Sequence, residues 1–227
     1  MGGLPFFLLS PPEYGLDPIL QKKRQRYAKA FPGCFGQYAD AAKQMAPNVP
    51  VALYGHSMGG NIIINALLRG ASGYACAVLE APWLGLLKEP NALTVCIARF
   101  LGWISPKPTT QNKLNPNALT SDPERAKVYV DDALYHGTIS FRMFTGIKNG
   151  CAFAIANAAK TPIPTFLAIA ANDKVLCNDA ILRFADNAGD ALTVKEYDSR
   201  HAIHNDVKHE ELFRDVVAFL DKYCVAV

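Results

Sequence analysis

Apolar residues are grouped along the chain in short, nearly unbroken runs. Five read as strands: "LPFFLLS" at 4–10, "PVALYGHS" at 50–57, "YACAVLEAP" at 74–82, "TPIPTFLAIAAND" at 161–173 and "ALTVKEYD" at 191–198. Segments of helical character lie between them: "PILQKKRQRYAKAF" at 18–31, "FGQYADAAKQMA" at 35–46 and "GGNIIINALLRG" at 59–70, the last closed by Gly70. The final stretch, 206–223, puts Val207, Leu212, Val216, Phe219 and Leu220 on one helical face. Runs without polar alternation suit strands buried on both faces. Their alternation with helices predicts an α/β fold with a mostly parallel sheet. The alternation stops between Leu84 and Lys160, where patterns such as "ALTVCIARFLGWI" and "AKVYVDDALYHG" are helical and no strand is expected. The chain therefore divides into a first core part (1–83), a helical cap (84–160) and a second core part (161–227).

The stretch "LYGHSMGGN" sits between a strand and a helix, and Gly55, His56, Ser57, Met58 and Gly59 satisfy G-x-S-x-G. A serine at so sharp a turn is lifted above the carboxyl ends of the strands. The glycines let the neighbouring backbone approach. The helix that follows offers backbone N–H groups to an oxyanion, that of Met58 first.

A nucleophilic serine needs a base and a group to orient the base. Downstream, "FLAIAAND" ends a strand in Asn172 and Asp173, and "VKEYDSRHAIHND" ends the next in a loop with His201 and His204. The order Ser, Asp, His suits this topology. Asp179, Asp186 and Asp198 are weaker acids, since none directly follows the penultimate strand. His201 is favoured over His204, which stands closer to the final helix. The histidines 201, 204 and 209 with Asp206 do not make the i, i+4 pair of zinc hydrolases. Neither a metal nor an organic cofactor is expected.

Charge and cysteine content narrow the classes further. The 227 residues carry a net charge of +3, and the one basic cluster, "QKKRQR", has no aromatic interleaving. It reads as a solvated helix face, so nucleic acid is not an expected partner. Six cysteines without close spacing read as buried free thiols in a reducing compartment. No run reaches the roughly 20 apolar residues of a membrane span, and "MGGLPFFLLSPP" has no positive region ahead of its short apolar run. A cytoplasmic protein is the expectation.

Together "VALYGHSMGGNI", "AVLEAPWLG", "NALTSDPERAKVYVDDALYHGTISFRM", "PIPTFLAIAANDKVL" and "DSRHAIHND" resemble the monoacylglycerol lipase and lysophospholipase branch of the α/β-hydrolases, also described as serine aminopeptidase-like. The elbow is shared by many hydrolases. "LTSDPER" in the cap with the "RHxxxND" ending is more specific. The resemblance implies Ser57 as nucleophile, Asp173 as orienter, His201 as base and Met58 N–H as oxyanion donor. It sets His204 beside the pocket. His56, Trp83 and Leu84 are further candidate substrate-binding residues. The chain departs from the family's pattern in carrying Ala202 where an acid usually follows the histidine. By spacing from Ser57, the family's His-Gly oxyanion loop is expected to precede the first residue, so that the sheet would lack its first strands.

The activity so implied is hydrolysis of an acyl ester through an acyl-enzyme, on a monoacylglycerol or a lysophospholipid. The cap's apolar residues are suited to an acyl chain and to transient contact with a membrane surface. The alternative is a hydrolase-like protein that binds acyl ligands with impaired turnover.

Overall fold

The computed structural model describes residue 44 and residues 49–105, 107–111, 114–131 and 137–224. The strand expected at 4–10 and the helix or loop expected at 18–31 lie outside these residues. So does the helix expected at 35–46, except for Gln44, which is helical.

Four strands form a parallel sheet: β1 (Ala52–His56), β2 (Cys76–Glu80), β5 (Thr165–Ala170) and β6 (Leu192–Tyr197), in the order β1-β2-β5-β6. Each falls within a strand expected from the sequence. The register aligns Ala52 with Cys76, Ala77 with Thr165 and Thr165 with Leu192. All four strands thus end along one edge, and the segments after them converge there.

Successive strand residues face opposite sides, and this sorts the apolar runs into two cores. Ala77 and Leu79 of β2 and Leu167 and Ile169 of β5 join Leu53 on one face. They cluster there with Ile63 and Leu67 of α1 (Met58–Leu68) and Ile181 and Phe184 of α6 (Asn178–Ala188). Cys76, Val78, Phe166 and Ala168 face the other way, toward Leu212, Val216, Phe219 and Leu220 of α7 (His209–Tyr223). Val207, expected on that last face, lies ahead of the helix and is 61% exposed. Gly70 terminates α1 with φ 97°, a conformation that favours glycine.

Residues 84–160 hold α2 (Ala92–Ile104), α3 (Pro116–Leu119), α4 (Pro123–Asp131) and α5 (Phe141–Asn157). One expectation is corrected here. The segment does contain strands, β3 (Thr109–Gln111) and β4 (Thr138–Ser140), which form their own antiparallel ribbon apart from the central sheet. Pairing across 26 residues of intervening chain leaves no local alternation to detect. The carboxyl half of α5 also reaches the main core through Ala154. On α2 the reverse holds, and Leu93, Phe100, Trp103 and Ile104 stand exposed. Among the described residues no helix is long and apolar enough to cross a membrane.

Candidate active site

Ser57 follows β1 directly and adopts φ 53°, ψ −117°, an uncommon conformation for a residue with a side chain. Such backbone costs roughly 1–3 kcal/mol and persists only where the surroundings hold it. Here they do: Ser57 N donates to Glu80 O (2.9 Å) and Trp83 N donates to Ser57 O (2.8 Å). A Cβ on Gly55 would lie 2.7 Å from the Gly59 carbonyl, and one on Gly60 would lie 2.8 Å from Pro82 Cβ. The glycines are there because strand, helix and the 80–83 turn meet at this point. Met58 opens α1, so its N–H belongs to the first turn, which has no intrahelical acceptor.

Asp173 follows β5 and His201 follows β6. His201 Nδ1 lies 2.7 Å from Asp173 Oδ2, and its Nε2 lies 3.0 Å from Ser57 Oγ. Asp173 Oδ1 accepts from Val175 N (2.7 Å) and Leu176 N (2.9 Å). Burial opposes the charged form of Asp173. The His201 bond and charge, with those two N–H groups, outweigh it and hold the carboxyl below its ordinary 3.8. A carboxylate at Nδ1 keeps the proton there and leaves Nε2 to accept from the serine. The structure therefore brings together the three residues that the sequence singled out, and His204 does not take the place of His201.

The other expected residues have different surroundings. Trp83 lies in an apolar cluster with Ile139, Ile147 and Leu176, against which Met58, Met143 and Phe144 pack. Cap and core thus form one apolar wall beside the elbow. The Trp83 carbonyl accepts from Asn61 Nδ2 (2.8 Å). Leu84 belongs to the main core instead, and that packing accounts for its burial without a ligand. His56 and His204 both face Glu80, a residue the sequence reading did not select.

Glu80 Oε1 is 2.8 Å from His204 Nδ1 and accepts from His204 N (3.0 Å); the Tyr54 hydroxyl donates to Oε2. Burial pushes His56 down to about 3, so it is neutral near neutrality. Burial alone would raise Glu80. The neighbouring His56 and His204, with the bonds from His204 and Tyr54, keep it ionised, at about 2. Burial works against charge on His204 too, and Glu80 overcomes it, raising that group above 6.5. His56, Glu80 and His204 have ligand-type atoms within 4.8 Å of one another. The three donors already on the carboxylate compete with any cation there, and nothing in the donor set calls for one.

Asp206 is the second residue the sequence reading passed over. It is fully buried. Oδ1 accepts from Ser121 N (2.8 Å), from the Ser121 hydroxyl and from Thr120 Oγ1 (3.2 Å). Oδ2 accepts from Arg200 N (2.6 Å) and Ser199 Oγ (2.9 Å). This carboxylate fastens "LTSDPER" of the cap to "DSRHAIHND", and so ties the His201 loop to the cap. Ala202 N, donating to Leu119 O (2.8 Å), adds a further tie.

Asp206→Ala is therefore expected to destabilise the protein by about 3 kcal/mol or more, since each orphaned buried donor costs roughly 1–3 kcal/mol. Glu80 and Asp206 are held below their ordinary 4.5 and 3.8, so they stabilise fully above those values and less as pH falls. His204, held above 6.5, stabilises fully below that value and less as pH rises through its folded value. His56, held down to about 3 by burial, stabilises fully above 6.5 and less as pH falls, so with these groups together the melting temperature should peak near pH 6.5. Asp206→Ala should lower the whole curve and flatten its acid limb. Calorimetry across pH checks both; an acid limb of unchanged slope would exclude Asp206 as its source.

A groove of about 260 Å³ lined by Pro162, Ile163, Asp190 and Tyr223 lies at the opposite ends of β5 and β6 and contains none of these residues.

The family described as serine aminopeptidase, S33, matches residues 35–208. A putative monoglyceride lipase of Schizosaccharomyces pombe is 26% identical over 178 residues, which are 77% of this chain and 46% of that protein. Phospholipase YtpA of Bacillus subtilis is 24% identical over 180 residues, 78% of this chain and 70% of that one. The chain thus spans under half the length of the first of these relatives. The crystal structure of the Paleococcus ferrophilus monoacylglycerol lipase superposes with a TM-score of 0.75 at 25% identity, covering 82% of this chain and 74% of that one.

Proposed function

The chain belongs to the serine aminopeptidase S33 family of α/β-hydrolases, and from that premise we propose that it hydrolyses carboxylic esters of acyl lipids, a monoacylglycerol foremost, through an acyl-enzyme. The observation that carries the proposal is the unbroken chain of hydrogen bonds from Asp173 through His201 to Ser57 at the strained elbow. His201 Nε2 takes the hydroxyl proton as Ser57 Oγ attacks the ester carbonyl. Met58 N–H faces the developing oxyanion at the helix N-terminus. Protonated His201 then gives its proton to the leaving alcohol, and the acyl group stays on Ser57. Water, deprotonated by His201, attacks that ester and releases the acid. Asp173 keeps the proton on Nδ1 and supports the imidazolium.

The substrate class draws on the lipase relatives and on two apolar surfaces. The partly buried Met58, Met143 and Phe144, packed on the Trp83 cluster beside the elbow, are suited to an acyl chain. The exposed α2 residues, Trp103 at 77%, are suited to a lipid aggregate.

The test combines labelling with turnover. A fluorophosphonate should add once per chain, on the Ser57 peptide by mass spectrometry. A dispersed monoacylglycerol should release fatty acid, and Trp103→Asp should slow that release while sparing a water-soluble short ester. Absence of the Ser57 adduct would overturn the mechanism. Labelling without fatty-acid release would overturn the substrate.

A further inference from the structure

Glu80 is a carboxylate at the end of an otherwise apolar strand, with a side chain that has no exposed surface. A buried charge is tolerated only where its partners are in place, and these partners all come from the elements that carry the catalytic groups. Tyr54 lies on β1, three residues before Ser57. His204 lies three residues after His201 and gives Glu80 both its backbone N–H (3.0 Å) and Nδ1 (2.8 Å). His56 Nε2 sits 3.1 Å from the carbonyl oxygen of His201, with its ring 4.7 Å from that of His201 and 4.9 Å from that of His204. The Glu80 carbonyl, meanwhile, accepts from Ser57 N (2.9 Å). One residue thus holds the nucleophile by its peptide and the base's loop by its carboxylate. Asp206 fastens the same loop on the other side, through Ser199 and Arg200. None of these groups lies on the proton route between Ser57, His201 and Asp173.

We propose that Glu80 is a positioning residue for the hydrolysis: acting through His204, it fixes the loop so that His201 Nε2 faces Ser57 Oγ. This rests on the reading of Ser57 as nucleophile. Glu80→Gln keeps the shape and the acceptor oxygen but removes the charge that binds His204. A misplacement of the base by about 1 Å costs on the order of 10²-fold. Glu80→Gln should therefore lower kcat on a soluble ester by roughly 10- to 100-fold, with KM within about twofold, and slow fluorophosphonate labelling in proportion. His204→Gln should do the same. The double variant should fall no further than the worse single, because both remove one interaction.

A purely structural Glu80 would lower the melting temperature and leave kcat of the folded fraction unchanged, and that result overturns the proposal. So does an additive double variant. If Glu80→Gln does not fold, His204→Gln decides alone, since the side chain it replaces is 37% exposed; a labelling rate within about twofold of the parent would then refute positioning. A parent protein that is never labelled refutes the nucleophile reading instead, so the two failures are distinct.

Discussion

Ser57→Ala is expected to lower turnover of a p-nitrophenyl ester by at least about 10⁴-fold while leaving the melting temperature within a few degrees of the parent. The contrast follows from what the residue contributes to each. Its hydroxyl is the atom that His201 Nε2 reaches, at 3.0 Å. Its backbone is held by Glu80 O and Trp83 N, bonds that alanine keeps. Alanine also meets the same penalty as serine at φ 53°, so the elbow gains no new strain. A neighbouring thiol is no substitute, because burial pushes Cys151 up to about 12 and leaves it un-ionised. The residual rate would come from the helix N-terminus and from substrate binding. Activity within tenfold of the parent would show that Ser57 is not the nucleophile.

The sequence revealed what depends on local periodicity or on order along the chain. The apolar runs became β1, β2 and β5 because an unbroken run suits a strand with a core on each face, and Ala77 and Val78 do face opposite cores, whereas β6 at the end of the strand order is polar and exposed at Thr193 and Glu196. Ser57, Asp173 and His201 were legible because each follows a strand at the edge where the strand ends align. Glu80 was hidden for the opposite reason. A charge at the end of "CAVLE" reads as a strand stop until it is known that His204, 124 positions away, lies against it. Asp206 looked like a helix start, and its five donors from 120–121 and 199–200 exist only once the cap has folded over the loop. The residue types of "LTSDPER" and "RHAIHND" were visible, but the carboxylate joining them was not. The helix α6 was legible in the spacing of Ala180, Ile181, Phe184 and Ala188 and is absent from the expectations above. Leu84 packs in the main core, and an apolar residue beside a candidate tryptophan suits a pocket and a core equally.

Asp173→Asn is expected to cut kcat by about 10⁴-fold with little change in fold, and hydrogen-bond direction accounts for the size of the effect. The two oxygens of Asp173 do different work. Oδ1 accepts from the N–H groups of Val175 and Leu176, while Oδ2 faces His201 Nδ1 at 2.7 Å. An asparagine here must keep its carbonyl at the Oδ1 position, because an amide NH₂ cannot accept from two backbone donors. Its NH₂ group is then turned toward Nδ1. An NH₂ group donates, so Nδ1 must become the acceptor and the proton moves to Nε2. His201 then presents an N–H to Ser57 Oγ and cannot take the serine proton. The imidazolium of the transition state also loses its carboxylate. Side-chain volume and both backbone bonds are retained, so the melting temperature should shift by only a few degrees. Asp198 provides the control: its carboxylate accepts from Asn172 Nδ2 (2.6 Å) at the surface, and Asp198→Asn should leave kcat within about threefold. Steady-state kinetics and the rate of fluorophosphonate labelling of the two variants measure the difference. A larger loss from Asp198→Asn than from Asp173→Asn would move the orienting role to the other carboxylate.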